Sequence, residues 1–208
     1  MLPLHPHASW HQRVARLAAL LALALGLWAG PGLAAPPATT AAGFPDLSVS
    51  LSPAGASALG LKAGGPASLS RIPAEALLVV VMSYFCPPCH KEVPRLKELE
   101  RRIRERALTG RIRLVGLAAG DDQAQVERFL VRHGGLPFPL LPDPALAAHK
   151  RLGSPVVPSL YAVASRGGKL SLLSLRQGEF TEDPDTFLDA LLRALPPRRG
   201  VAPGARAQ

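Results

Sequence analysis

The sequence predicts an α/β domain of three layers, in which a central mixed sheet carries helices on both faces. A continuous apolar run, Leu77 to Met82, is followed directly by a long segment of helical spacing. Strand and helix patterns then alternate until a hairpin closes the sheet. With 208 residues and 48% hydrophobic content, the chain can form one such domain with terminal extensions.

The N-terminal segment is typical of a secretory signal. Arg13 and Arg16 precede an apolar run, 17–29, and small residues follow at Ala34 and Ala35. This order predicts export with cleavage after Ala34, because the apolar run is short for a membrane span. An uncleaved membrane anchor is the alternative. Under either interpretation we expect the rest of the chain in the periplasm or another extracytoplasmic compartment, where disulfides persist.

Composition divides the chain into four parts. These are a signal, 1–34, a linker, 35–43, a domain, 44–197, and a tail expected to be disordered, 198–208. Residues 36–65 are rich in Ala, Pro, Gly and Ser, which is typical of loops. Within them, 45–51 alternates apolar and polar residues and predicts a short edge strand.

The central strand of the domain and the helix after it are predicted from residue 77 onwards. The run 77–82 is typical of a strand buried on both faces. A helix follows, ended by Gly110, because apolar residues recur at helical spacing. These residues are Val93, Leu96, Leu99, Ile103 and Ala107.

The remaining chain alternates between short strand and helix patterns. Strands are predicted at 112–118, 138–141, 160–164 and 170–175, and helices at 123–132 and 144–151. Arg166-Gly167-Gly168 predicts a hairpin turn between the last two strands. Asp183-Pro184 predicts the start of a final helix. The apolar stripe of that helix is Phe187, Leu188, Leu191, Leu192 and Leu195.

The formal charge of +9 does not indicate nucleic-acid binding. Lys and Arg are dispersed, and their densest stretch, 95–111, also contains Glu98, Glu100 and Glu105. A mixed-charge stretch of this kind is typical of a solvated helix face. Aromatic residues make up only 5% of the chain, too few to stack a series of bases.

Cys86 and Cys89 are the only two cysteines, and they stand where the buried strand gives way to the helix. The unsatisfied N–H groups at a helix start favour a thiolate, so we expect Cys86 to be the more acidic thiol and the nucleophile. Cys89, one turn deeper, is expected to resolve the mixed disulfide. Pro87 and Pro88 stiffen the turn and are expected to tune the redox potential.

The two cysteines admit three other interpretations. A purely structural disulfide would close a very short loop and constrain the unfolded chain little. A zinc site needs about four ligands, and His90, His133 and His149 are scattered in the sequence. The third is c-type haem attachment, because Cys86 to His90 fits the C-x-x-C-H pattern. Against haem, the motif follows a buried strand, and Met82, the candidate distal ligand, lies inside that strand.

The segment Val79–Leu99, VVVMSYFCPPCHKEVPRLKEL, resembles the active-site region of the TlpA/ResA-like family of exported thioredoxin-fold proteins. In that family a Glu follows the second Cys by three residues and a Pro follows two later, which here are Glu92 and Pro94. The segments 120–139 and 156–160 also resemble the family. The resemblance covers roughly 44–195 and implies a thioredoxin-like fold.

The resemblance also implies site residues. Val157 and Pro158 match the loop that places a cis-proline against the disulfide, and Phe85 stands where the family usually has Trp, so these three are expected to bind substrate. Glu92 is the acidic candidate for proton transfer, because Val80 stands where thioredoxin has a buried Asp. A simple loop proline and an exposed first-turn Glu are the alternatives for Pro158 and Glu92.

The function implied is that of a protein thiol-disulfide oxidoreductase without cofactor or metal. The resemblance implies a reductant of specific protein disulfides, re-reduced by a membrane electron donor, with cytochrome c maturation as a pathway it could serve. Two alternatives stay open, a c-type haem electron carrier and a thioredoxin-fold adaptor that is redox-inactive.

Overall fold

The computed structural model describes residues 42–62 and 66–195. The predicted signal, the predicted tail and residues 35–41 of the predicted linker lie outside these ranges. Among the described residues, no helix combines the length and the apolar character that crossing a membrane requires.

The described chain folds around a central sheet of five strands. In chain order the elements are β1 (Ser48–Ser50), α1 (Pro53–Ala58), β2 (Pro66–Ser68), a 3-10 turn (Leu69–Arg71), β3 (Ala76–Met82), α2 (Pro87–Glu105), β4 (Ile112–Ala119), α3 (Gln123–Arg132), β5 (Leu140–Asp143), α4 (Ala147–Arg151), β6 (Ser159–Arg166), β7 (Lys169–Gln177) and α5 (Pro184–Ala194). The sheet order is β5-β4-β3-β6-β7. β3, β4 and β5 run parallel, whereas β6 is antiparallel to β3 and β7 is antiparallel to β6.

β3 lies at the centre of the sheet, and its side chains divide the core into two parts. All of its residues are 0% exposed, as a continuous apolar run between two helical layers requires. Leu78 and Val80 pack with residues of α2, α3 and α5 on one face. Leu77 and Val79 pack with the N-terminal elements and α4 on the other face. The predicted three-layer α/β fold with a mixed sheet is therefore confirmed.

The predicted starts of two helices are confirmed. α3 spans the predicted residues, and Asp122 and Gln125 form a capping box at its start. α5 begins after Asp183, whose carboxylate accepts the Thr186 backbone N–H at 2.9 Å. These caps satisfy N–H groups that have no partner inside the helix.

The end of α2 differs from the prediction. The helix ends at Glu105, and Ala107 is exposed with a left-handed φ of 53°. The Leu108 N–H donates to the Ile103 carbonyl at 2.9 Å, the bond that defines a Schellman motif. Leu108 rather than Ala107 thus continues the buried stripe, and Gly110 does not end the helix.

Smaller elements are shifted or were not predicted. β5 pairs with β4 from Leu140, two residues later than predicted, and just before it the Pro139 carbonyl accepts the Gly116 N–H at 2.8 Å. α4 begins later than predicted because Leu146 has a left-handed φ of 57°. The predicted edge strand is confirmed as β1, but it pairs with the unpredicted β2 in a separate two-stranded sheet.

Candidate active site

The two cysteines form a disulfide where β3 gives way to α2, with Cα atoms 5.3 Å apart. Cys86 is the N-cap of α2, and its Sγ accepts the Cys89 backbone N–H at 3.2 Å. Cys86 is 9% exposed and Cys89 is fully buried. A thiolate on Cys86 would therefore meet both an N–H donor and the positive end of the helix dipole.

Pro87 and Pro88 occupy the first two positions of α2, and both are exposed. Proline is well tolerated there, because N–H groups in the first turn have no partner inside the helix. Since neither proline has an N–H, Cys89 carries the first N–H of the helix that can reach the Cys86 sulfur. The two prolines thus direct the capping bond to one donor.

A loop from the other half of the domain lies against the disulfide. The Val157–Pro158 peptide bond is cis, as the resemblance implies. The Val157 carbonyl oxygen lies 3.5 Å from Cys86 Sγ. At the start of β6 the Ser159 hydroxyl donates to the Val156 carbonyl at 2.6 Å and fixes the loop from within.

Exposed apolar side chains border the disulfide. Phe85, directly before Cys86, is 69% exposed, and Val156 is 60% exposed. The Phe85 ring packs edge-on against Tyr84, with ring centroids 5.1 Å apart. Large apolar side chains that stay in water next to a reactive group are typical of a surface that binds a partner.

Glu92 is buried on the inner face of α2, at 3% exposure, so the alternative of an exposed first-turn Glu is wrong. Its Oε1 accepts the Phe180 backbone N–H at 3.1 Å, and its Oε2 has no hydrogen-bond partner among residues 42–62 and 66–195. Burial raises the pKa of Glu92 from 4.5 to about 7, and the nearby charge of Glu179 adds to the shift. The segment that contains Phe180 also contacts the cis-proline, because the Gly178 N–H donates to the Pro158 carbonyl at 2.8 Å.

The turn before Cys86 is held by Asp121, a residue that the sequence analysis did not single out. Asp121 is 2% exposed. Its carboxylate accepts the Tyr84 backbone N–H at 2.6 Å and the Ser83 hydroxyl at 3.1 Å. Gly120, with a φ of 76°, makes the turn that brings Asp121 under this segment. A polar residue directly after Gly at the end of an apolar strand is the signal that could have revealed it.

Sequence reasoning also missed a contact between two histidines beside the active site, His90 and His133. His90 Nδ1 and His133 Nε2 are 2.8 Å apart, and His90 Nε2 lies 2.7 Å from the Tyr84 carbonyl. The His90 ring stacks on Phe129, with centroids 4.7 Å apart. Burial lowers the pKa of His133, and the charges of His90, Lys97 and Arg132 lower it further.

These contacts bear on the haem and metal interpretations. Both ring nitrogens of His90 are engaged, and Met82 is fully buried inside β3, so neither side chain is free to ligate a haem iron. Across 42–62 and 66–195, no three side chains of His, Cys, Asp or Glu lie together as a metal site would require.

His149, the third scattered histidine, supports the loop before Pro158. Its Nε2 lies 2.9 Å from the Pro155 carbonyl. The Asp143 carboxylate accepts the backbone N–H groups of Ala148 and His149, at 3.2 and 2.9 Å, and so caps α4. Asp143, at the carboxyl end of β5, thereby holds His149 in place, and His149 in turn holds the loop before Pro158.

The chain is similar in sequence to a known thiol-disulfide oxidoreductase. The thiol-disulfide oxidoreductase ResA of Halalkalibacterium halodurans is 26% identical over 98 residues, 47% of this chain and 51% of that protein. The chain thus spans about half the length of this curated relative. The resemblance to TlpA/ResA-like proteins is confirmed.

Two solved structures share the fold at low sequence identity. A thiol:disulfide interchange protein of the thioredoxin family from Chlorobium tepidum is 18% identical, with a TM-score of 0.51 over 76% of this chain and 99% of that one. A secreted disulfide oxidoreductase of Mycobacterium tuberculosis is 16% identical, with a TM-score of 0.50 over 71% of this chain and 96% of that one. The family model described as Redoxin matches residues 41–186, which include both cysteines and the cis-proline loop. Because this match covers well over half of the 208 residues, the chain belongs to the Redoxin family.

Proposed function

We propose that the protein is a thiol-disulfide oxidoreductase that exchanges disulfides with protein substrates outside the cytoplasm. One observation carries the proposal: the disulfide sits at the start of α2 with Cys86 Sγ 3.5 Å from the Val157 carbonyl, beside exposed apolar side chains. A purely structural bridge between residues three apart would contribute little to stability and would not need exposed apolar side chains such as Phe85 and Val156 beside it.

In the reduced protein, Cys86 acts as the nucleophile. Its thiolate attacks one sulfur of a substrate disulfide, forms a mixed disulfide and releases the other substrate sulfur as a thiolate. The role falls to Cys86 because it has some exposure and caps the helix, whereas Cys89 is fully buried. Cys89 then attacks Cys86 Sγ, releases the second substrate thiolate and restores the Cys86–Cys89 disulfide.

Glu92 accepts the proton that Cys89 must lose in this second step. The two residues are three apart on α2 and both are buried, so they lie on one face of the helix. A pKa raised by burial to about 7 suits a group that exchanges protons near neutral pH. Its Oε2, which has no hydrogen-bond partner in the described part of the chain, is the oxygen available to take the proton.

The substrate lies across Phe85, Val157 and Pro158. An extended segment next to the substrate cysteine pairs with backbone groups of the Val157–Pro158 loop, as added strands pair with an exposed edge. The aromatic ring of Phe85 covers the apolar side of that segment. This placement brings the substrate disulfide to Cys86, because the loop and the sulfur are already in contact.

The direction and the location are part of the proposal. The resemblance to TlpA/ResA-like proteins supports a reductant, re-reduced by a membrane electron donor, with apocytochromes c as one class of substrate. The charged, apolar and small residues of 1–34 support export to the periplasm or another extracytoplasmic compartment.

A turnover assay on the purified exported protein tests the function. We expect it to catalyse reduction of insulin or a disulfide peptide by a small dithiol, and we expect the Cys86→Ser/Cys89→Ser variant to lack this activity. Background reduction in both proteins would refute the proposal and favour a redox-inactive adaptor. A haem absorption spectrum from the purified protein would refute it in favour of a c-type electron carrier.

A further inference from the structure

We infer that Arg128, Arg132 and the Tyr84 ring form a docking site for an acidic segment of the redox partner. The inference rests on the proposed function and deepens it by naming the chemistry of the partner surface next to its reacting cysteines. We call these three residues the arginine clamp.

The two guanidinium groups converge on one ring. Arg128 and Arg132 are four residues apart on α3, and both are exposed. Their guanidinium carbons lie 5.7 and 5.6 Å from the centroid of the Tyr84 ring. Stacking on an aromatic face holds a guanidinium in place while its N–H groups stay available for a carboxylate.

Neither arginine is neutralised within the described part of the chain, where no ion pair includes them. The acidic groups nearby have other partners. Glu127 accepts the Gln123 side-chain amide at 2.9 Å, and Asp122 caps α3. Asp121 is buried under the turn, with its oxygens accepting from Ser83 and Tyr84. Lys97, whose Nζ donates to the His133 carbonyl at 2.5 Å, adds a further positive charge.

The clamp is continuous with the active site. Tyr84 packs against the exposed Phe85, which directly precedes Cys86, so the ring that both arginines contact adjoins the active site. Around the clamp lies an open depression of about 680 Å³. It is lined by Tyr84, Ala124, Glu127, Arg128, Val131 and Arg132.

This surface fits an extended segment with an apolar part and a carboxylate part. The apolar part would cover Phe85 and Val131, of which Val131 is 82% exposed. Asp or Glu side chains a few residues from the partner cysteine would then meet the two guanidinium forks, which match carboxylates in shape and charge. A partner carrying Lys at those positions would be repelled.

Two disulfide peptides test the inference. They have the same length and differ only at the positions a few residues from the cysteine that would contact the arginine clamp. These positions are Glu in one peptide and Lys in the other. We expect the full exported protein to reduce the Glu peptide faster than the Lys peptide at low salt, and added salt to diminish the difference. In Arg128→Gln/Arg132→Gln the ratio of the two rate constants, Glu to Lys, should fall by roughly three- to ten-fold.

A second variant and a matched control accompany this experiment. Arg128→Glu/Arg132→Glu should reverse the preference, so that the Lys peptide reacts faster. Arg71→Gln/Arg193→Gln removes two exposed charges from other elements and should leave the preference unchanged. Thermal melting of each variant shows that it is folded.

Equal rates for both peptides with the unaltered protein, or a preference that survives Arg128→Glu/Arg132→Glu, would overturn the inference. Binding to anionic vesicles that is lost in the clamp variants, with unchanged peptide kinetics, would also overturn it and assign the arginines to a lipid surface. Failure of the proposed function would look different, because the unaltered protein would then reduce neither peptide.

Discussion

Replacing Glu92 by Gln should change the pH dependence of stability in a defined window. Burial raises the pKa of this carboxyl in the folded protein from 4.5 to about 7, which corresponds to about 3 kcal/mol. Below pH 4.5 the carboxyl is protonated in both the folded and the unfolded state. As the pH rises from 4.5 to about 7, only the unfolded chain releases the proton, so the free energy of unfolding falls.

The glutamine variant should lack this loss. Its amide oxygen can still accept the Phe180 N–H, and its NH₂ group occupies the place of the Glu92 Oε2. The oxidised variant should therefore gain up to about 3 kcal/mol over the unaltered protein between pH 4.5 and pH 8. Denaturant unfolding of both oxidised proteins across this range measures the difference. A difference that stays constant with pH would refute the reasoning.

Glu100 is a matched control for the catalytic part of the argument. It lies on the same helix, and burial raises its pKa to about 7 as well, opposed by the charges of Arg104 and Arg113. It is eleven residues beyond Cys89 and therefore too far along α2 to receive its proton. Glu92→Gln should slow turnover near pH 7 by roughly 100-fold or more, whereas Glu100→Gln should not. Equal turnover by both variants would contradict the proton-transfer role.

Three further outcomes are expected. After brief alkylation of the reduced protein, peptide mapping should find Cys86 labelled before Cys89, and the reverse order would contradict the assigned roles. Asp121→Ala should lower the free energy of unfolding by about 1–3 kcal/mol in denaturant titrations, because the Tyr84 N–H loses its acceptor. Asp121→Asn should retain most of the stability, and equal losses in the two variants would contradict this role of Asp121. Intact-mass measurement of exported protein should show that residues up to Ala34 or Ala35 are missing, and Met1 still attached would favour an anchor.

The parts of the fold that follow from local pattern could be predicted. The apolar run 77–82 is stable only where both of its faces are buried, at the centre of a sheet. The cysteine pair lies directly after it, where the strand gives way to the helix. The end of α2 could not be predicted from spacing, because Ala107 continues the apolar period and only the left-handed turn transfers that role to Leu108. Short elements such as β2 depend on a partner strand and have little signal of their own.

The site was predictable where its residues are neighbours in sequence. Cys86 caps α2, and Cys89 and Glu92 lie in its first two turns, so their proximity follows from the geometry of the helix. The contact between His90 and His133 joins residues 43 apart, and no periodicity indicates it. Asp121 reaches the turn before Cys86 from the end of a neighbouring strand, so its role depends on the order of strands in the sheet.

The division of labour between the two cysteines is tested most directly by trapping. The purified protein carrying Cys89→Ala is incubated in its reduced form with a disulfide substrate, and intact mass is measured without reductant. We expect a covalent adduct of protein and substrate on Cys86, because the thiol that would release the substrate is gone. Cys86→Ala, which leaves only the buried thiol, should form far less adduct. No more adduct on Cys89→Ala than on the Cys86→Ala/Cys89→Ala double variant would contradict thiol exchange at this site.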